Sequence, residues 1–309
     1  FYTREEAEKG GDPKLEENLK ENISDSITTK YPLVFIQTGY NGGFTFGNNV
    51  GIKYALAKDD FEYLWILNND TVIDKAALTE MVKVIRQNKK IGGVGSVLIF
   101  YHNPQRIQAL CGTTPFSLKA SLRLKQLMRN KDLKDLENLS CKSFDLNGGF
   151  LQGASMLFKK ETIKKIGLFD EKIFMMFDES ELCMRILKNK MLLYCSCNSK
   201  IYHKEGSSIG TNRAIKSFLF LKRERISYNA FLFNYLYLRN IFYAVRKHYG
   251  LKSAIAYLIL NLPTIFGIIT AIILFDDNKL KRLKLVLKAL YDGLHEKLGK
   301  PGWLKDERN

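Results

Sequence analysis

Between Leu33 and Phe100, short apolar runs take turns with amphipathic stretches, and this alternation restricts the fold more than any other feature of the chain. Leu33-Val34-Phe35-Ile36 reads as a short buried strand, followed by a glycine-rich turn at Gly39 to Gly43. Asn48 to Ala57 reads as a helix, and Tyr63-Leu64-Trp65-Ile66-Leu67 as a second apolar strand that stops at Asn68-Asn69-Asp70-Thr71. Asp74 then caps a helix to about Asn88, with Ala77, Leu78, Met81, Val82 and Ile85 at helical spacing. Gly93 to Phe100 supplies a third strand. Strands separated by helices imply an α/β fold with a mostly parallel, Rossmann-like sheet whose ligands sit beyond the carboxyl ends of the strands.

From about Asn103 to Phe144 the periodicity is weak and charges are frequent, as in a variable insertion. Regular patterns return with a strand at Phe150 to Phe158, a short helix at Lys160 to Ile166, a helix from Asp178 to Asn189 and a strand at Met191 to Cys197, with Ile201-Tyr202-His203 closing the segment. The polar first thirty residues, broken at Gly10-Gly11-Asp12-Pro13, read as a helix–loop–helix insert or as what remains of a truncated N-terminus. Because the chain starts at Phe1, upstream sequence is expected to be missing. The expected units are therefore residues 1–30, an α/β unit at 31–210, and a basic, apolar helical region at 211–309.

That last region carries the partner signal. The chain has 48 Lys+Arg against 32 Asp+Glu, a net charge of +16, which calls for an anionic partner. From Gly210 onward there are 18 Lys/Arg against 7 Asp/Glu, in the same third as the longest apolar stretch. Positive charge beside apolar surface points to an anionic membrane more than to a nucleic-acid groove. No nucleic-acid motif or aromatic stacking platform accompanies the charge, so no nucleic-acid partner is expected. Ala254 to Phe275 is 22 residues without a formal charge, long enough to span a bilayer, but Asn261, Pro263 and Gly267 interrupt it. An interfacial or re-entrant hairpin, a true span, and a buried helix pair in a soluble domain all remain open. Cys111, Cys141, Cys183, Cys195 and Cys197 are odd in number and form no C-x-x-C pair, which fits a reducing compartment and no zinc site.

Three places carry candidate chemistry. Asp70, just past an apolar strand, could help hold Mg²⁺ or Mn²⁺ against a diphosphate, or simply belong to an Asn-Asp turn that starts the next helix. Asp178 and Glu181 are spaced as a capping box, and Glu181 and Arg185 as an i,i+4 ion pair, which leaves Glu179 without a structural task. A carboxylate there suits a general base; solvated helix surface is the alternative. His203 ends a strand before a Gly/Ser loop and would complete a metal site with Asp70, or be an ordinary surface histidine.

Together these segments resemble family 2 glycosyltransferases of the GT-A fold, in particular their bacterial, rhamnosyltransferase-like branch. Asn41-Gly42-Gly43-Phe44-Thr45-Phe46-Gly47-Asn48-Asn49-Val50-Gly51 is similar to the family's N-x-G-F-x-x-G-N-N-x-G segment, so Asn41, Gly43, Asn48 and Asn49 are expected at the nucleotide-sugar site. Leu67-Asn68-Asn69-Asp70-Thr71 resembles its D-x-D equivalent, with Asn68 where many relatives have Asp. Asp70, the donor diphosphate and His203 are then left to hold the metal. Gly153-Ala154-Ser155-Met156-Leu157 resembles the strand lining the donor–acceptor cleft, and Phe177 to Arg185 the acidic motif that supplies the base. Many members have Glu-Asp where this chain has Asp178-Glu179; the implied base is Glu179, with Asp178 as the fallback. Tyr237-Leu238-Arg239-Asn240 and the segments Asp292-Gly293-Leu294 and Leu298-Gly299-Lys300 also match.

The resemblance implies an inverting, metal-dependent transfer of a hexosyl or rhamnosyl group from a nucleotide sugar to a saccharide or polyprenyl-diphosphate-linked acceptor. The implied setting is surface-polysaccharide or glycoconjugate synthesis at the cytoplasmic face of the inner membrane, with the chain peripheral or shallowly inserted. A homodimer is left open. The competing classes are a non-catalytic membrane-associated protein with a degenerate transferase domain and a basic nucleic-acid-binding protein.

Overall fold

A computed structural model describes residues 1–21, 33–110, 132–138, 143–146, 149–204, 213–218, 221–226 and 228–303. Among them, seven strands form the central sheet: β3 (Tyr63–Leu67), β4 (Thr71–Ile73), β5 (Ile91–Phe100), β6 (Asn103–Ala109), β7 (Ser143–Asp145), β8 (Ser155–Lys159) and β9 (Leu192–His203). The main path runs β3-β8-β5-β9-β4, with β6 on β5 and β7 on β9.

The α/β class stands, but the pairing departs from a mostly parallel sheet. Only β5 and β9 pair in parallel among the described strands of this sheet; the other pairings are antiparallel. The reason lies in β8. It inserts antiparallel between β3 and β5, so β3, β5 and β9 all point the same way although β3 touches neither of the others. The carboxyl ends of these three strands therefore share one edge of the sheet, where ligands collect in such folds.

Helix α4 (Ala77–Arg86) covers one face, burying Met81, Val84 and Ile85 against Ile91, Val94 and Leu157. Burying side chains of this size stabilises the fold by about 1.5–3 kcal/mol each. The helix starts two residues later than expected, with Ala76 and not Asp74 at its cap. Asp74 accepts the Ala76 N–H at 2.9 Å through its carboxylate and the Ala77 N–H through its carbonyl, so it shapes the entry turn from outside the helix. Cys195 and Cys197 are buried on one strand, and Cys183 is buried in the same main core. Cys111 and Cys141 lie outside the described residues.

Leu33-Val34-Phe35-Ile36 is not a buried strand. Among the described residues, Ile36–Gln37 (β2) pairs only with Tyr2–Thr3 (β1), apart from the central sheet, and Leu33 is 81% and Phe35 55% exposed. A run of apolar residues is buried only when a layer covers it, and here the ring of Phe1 is what stacks on Phe35. Of the N-terminal helices, α1 (Arg4–Glu8) docks on α3 (Gly43–Lys58) through Glu8, which accepts from Lys53, and α2 (Pro13–Glu21) through Glu16, whose carboxylate accepts from Tyr2 Oη, Tyr54 Oη and the Lys58 ammonium.

The C-terminal region holds a hairpin, β10 (Arg213–Phe218) with β11 (Leu221–Ile226), and two helices, α8 (Tyr228–Phe275) and α9 (Lys279–Leu294). Gly250, at φ 84°, divides α8 into two arms. The first arm packs on the body from Phe231 onward, where Phe231, Leu236, Phe242, Ala244 and Val245 are buried. The second arm, 251–275, continues through Asn261 and Pro263 instead of folding back there, and the chain reverses only at Asp276–Asn278. It leaves Ile259, Leu260, Leu262 and Phe266 exposed. Among the described residues, one helix is long and apolar enough to cross a membrane, and it is this one.

Candidate functional site

Asp70 and His203, 133 positions apart in the chain, meet because β4 pairs with the end of β9. The register sets Thr71 opposite His203, and the Asp70 carboxylate Oδ1 lies 3.1 Å from His203 Nε2. Thr71 Oγ1 donates to the Asn68 carbonyl at 2.7 Å and closes the turn that carries Asp70. His203 Nδ1 faces Gln108 Oε1 on β6 at 3.0 Å, which orients the ring toward Asp70. Both members of the pair are half-buried at the mouth of the sheet edge. A carboxylate oxygen and an imidazole nitrogen, with the imidazole held from behind by a polar partner, form a donor set that suits Mg²⁺ or Mn²⁺. Among the described residues, no third His, Cys, Asp or Glu joins them.

The same end of the sheet receives the acidic motif. The Asn68 N–H donates to the Ala154 carbonyl at 3.1 Å, tying the Asp70 turn to Gly153-Ala154. A methyl built on Gly153 would lie 3.9 Å from Glu179 Cδ and 3.8 Å from Phe44 Cζ, so the missing side chain leaves space directly beside the carboxyl. The strand expected at 150–158 runs instead over Ser155–Lys159, and Gly153 sits in the turn before it.

The capping box is not formed. Phe177, in the left-handed conformation at φ 67°, occupies the N-cap of α7 (Asp178–Lys188), and no side chain caps that end. With Phe177 turned this way, Asp178 is already helical and cannot curl over the N–H groups. Its carboxyl is instead buried beside that of Glu179. Burial first, and then the neighbouring charge of Glu179, raises the Asp178 carboxyl well above the usual aspartate range. Burial also raises Glu179, while a hydrogen bond from Asp178 draws it back down. Burial thus raises both carboxyls, and a hydrogen bond joins them. Two carboxyls that share one buried site can divide acid and base roles.

Glu181 does pair with Arg185, at 2.9 Å, and it also accepts from Lys247 at 2.7 Å and His248 at 3.0 Å. Burial alone would raise this carboxyl; the bonds from His248, Arg185 and Lys247 hold it at about 2.

The glycine- and asparagine-rich segment is stitched to the loop before the acidic motif. Gly43 has φ 85°, and a Cβ there would come within 2.0 Å of the Phe174 carbonyl oxygen. The Phe44 N–H donates to that same carbonyl at 2.9 Å, and Thr45 Oγ1 donates to Ile173 O at 2.6 Å. Asn49, expected at the nucleotide-sugar site, is buried: its Nδ2 donates to Phe169 O and Glu171 Oε1, and its Oδ1 accepts from Phe169 N. Its amide holds the loop before the acidic motif. Asn48 donates to Phe44 O at 2.8 Å and stays half-buried, and Asn41, exposed, accepts the Gly43 N–H.

Sequence reasoning did not single out Gln108, Lys247 or His248. Each acts across strands or between helices, and a side chain's partner 66 to 95 positions away leaves no local periodicity to read.

The family described as "Glycosyltransferase like family 2" matches residues 17–217, more than half of the chain. The chain belongs to that family, and the α/β GT-A class follows from membership together with the sheet. The low-salt glycan biosynthesis hexosyltransferase Agl10 of Haloferax volcanii is 27% identical over 154 residues, which cover 49% of this chain and 45% of that protein. The chain thus spans less than half the length of this curated relative. A crystal structure of GalNAc-T7 with UDP, GalNAc and Mn²⁺ matches with a TM-score of 0.41 and 15% identity, over 63% of this chain and 36% of that one.

Proposed function

We propose that the chain is an inverting glycosyltransferase that moves a sugar from a nucleoside-diphosphate donor to a saccharide, lipid-linked acceptor in glycan synthesis. The observation that carries this reading is the meeting of Glu179, Gly153, Asn68 and the Asp70–His203 pair at one edge of the sheet. In the reaction, Glu179 takes the proton of an acceptor hydroxyl, that oxygen bonds to the anomeric carbon, and the bond to the nucleoside diphosphate breaks in the same displacement. Asp178, hydrogen-bonded to Glu179, keeps that carboxyl oriented. Gly153 leaves room for the reacting sugar, and Asn41, Asn48 and Gly43 shape the donor side.

Asp70 and His203 would hold Mg²⁺ or Mn²⁺, leaving its remaining positions to donor oxygens and water. Such a cation, when bound, neutralises the charge of a departing diphosphate. Asp70→Ala is expected to abolish the Mn²⁺-dependent part of donor binding, seen as loss of the thermal shift given by a panel of nucleotide sugars with Mn²⁺. Equal shifts with and without EDTA in the unaltered protein would count against the metal role.

The exposed arm 251–275, beside the exposed Lys279, Lys281 and Lys284, favours a shallow seat on an anionic leaflet, which we place at the cytoplasmic face. Replacing Ile259, Leu260, Leu262 and Phe266 together by Ser should weaken partition onto phosphatidylglycerol-containing vesicles by about 10²-fold or more, since each apolar side chain contributes about 1.5–3 kcal/mol on burial. Undiminished co-sedimentation of the fourfold variant would refute this seat.

A further inference from the structure

The two carboxyls of the acidic motif are presented by an unusual turn. Met176 and Phe177, neither of them glycine or asparagine, both stand in the left-handed region, at φ 68° and 67°. Such residues cost free energy and persist only where the surroundings hold them. Phe177 is held on its ring, which is buried edge-on between Phe150 and Tyr237. The backbone before it is held from the helical region. Asn240, fully buried on α8, donates one Nδ2 hydrogen to Met175 O at 2.8 Å and the other to Met176 O at 2.7 Å.

The orientation of this amide is fixed by its neighbour. Arg239 Nε, which can only donate, lies 3.0 Å from Asn240 Oδ1, so the NH₂ group must face the two carbonyls. Arg239 is itself buried and donates through Nη1 to Gly299 O, and the Gly299 N–H donates to Lys172 O. The loop 172–177 is thus tied at both ends to residues 239, 240 and 299. These belong to segments whose resemblance to relatives gave them no task.

We propose that Asn240 is a positioning residue for the Asp178–Glu179 pair: its amide holds the Met175 and Met176 carbonyls and fixes the left-handed turn that delivers the two carboxyls to the site. The proposal rests on the reading of Glu179 as the base. Asn240→Asp is the discriminating change, because it keeps the shape and the Arg239 contact but sets a carboxylate oxygen against two carbonyl oxygens. Asn240→Ala removes both bonds without the repulsion.

The full chain and both variants are compared by hydrogen exchange of the peptide 173–180, with the thermal melt as a check of folding. They are also compared by kcat, KM and the pH profile of kcat, on whichever UDP-, GDP- or dTDP-sugar the unaltered protein turns over. The expected result is faster exchange confined to 173–180 and a kcat lower by about 10²-fold, the scale of a small misplacement of a reacting group. Donor KM should be nearly unchanged and the acidic limb of the kcat profile displaced, with Asn240→Ala milder than Asn240→Asp.

Unchanged exchange in 173–180 overturns the proposal, and so does faster exchange with kcat and its acidic limb as in the unaltered protein. If Asn240→Asp does not melt cooperatively, Asn240→Ser, which keeps one donor, carries the same comparison. Undiminished turnover in Glu179→Gln would strike the base assignment and not the turn; the exchange measurement alone then decides whether Asn240 holds it.

Discussion

Glu179→Gln lowers turnover by about 10²–10⁴-fold, the usual contribution of a general base, and leaves the thermal shift given by a nucleotide sugar with Mn²⁺ nearly intact. The amide fills the same space beside Gly153 and Phe44 but cannot take a proton. The pH dependence follows from the direction of the shift. Burial raises the Glu179 carboxyl, and the base must be ionised to act, so kcat falls as pH drops through a value above that of an ordinary glutamate. That acidic limb should be missing from the residual activity of Glu179→Gln. Asp178→Ala removes the hydrogen bond that lowers Glu179, and should move the limb to higher pH. Undiminished turnover in Glu179→Gln would end the assignment.

Glu181→Gln, two residues on, should act on stability instead of rate. Its carboxylate is fully buried and faces Arg185, Lys247 and His248. Removing one partner of a buried ionic cluster leaves uncompensated charge and costs about 3–5 kcal/mol. For a chain of this size that corresponds to a fall in Tm of roughly 10 °C. The sign with pH is definite. The folded carboxyl titrates at about 2, below its ordinary value of 4.5, so its contribution is complete above the ordinary value and is lost as pH falls toward 2. Melts of the unaltered protein between pH 5 and 2.5 should therefore converge on those of the variant. A variant as stable as its parent at pH 7 would show that the cluster contributes little.

The sequence made visible those features whose cause is local. The strand before Asp70 and the strand ending at His203 were apolar runs closed by polar residues, and both form. The helix Lys160–Ile166 matches residue for residue. Pairing directions were less legible, because nothing in Phe150–Phe158 says that its last four residues will slide antiparallel between two strands that point the same way. The capping box failed on a dihedral angle: Asp178 and Glu181 have the right spacing, but the left-handed Phe177 moves Asp178 into the helix. The apolar run 33–36 failed for want of a covering layer. Asn49 was expected at the nucleotide-sugar site, and Asn240 stood only in a segment that matches relatives. Their partners, 120 and 64 or more positions away, turn them into the ties of the loop that carries the carboxyls.

One consequence concerns the three residues of β4. Alternate side chains of a strand emerge on opposite faces, so its pairing with β9 tolerates no slippage. Thr71 stands across from His203, Val72 from Tyr202 and Ile73 from Ile201, a ladder too short to absorb an error and then recover. An extra amino acid spliced in between Asp70 and Thr71 would leave the hydrophobic interior under α4 untouched while carrying the carboxylate away from the imidazole. The molecule would keep its shape and lose the Asp70–His203 pair.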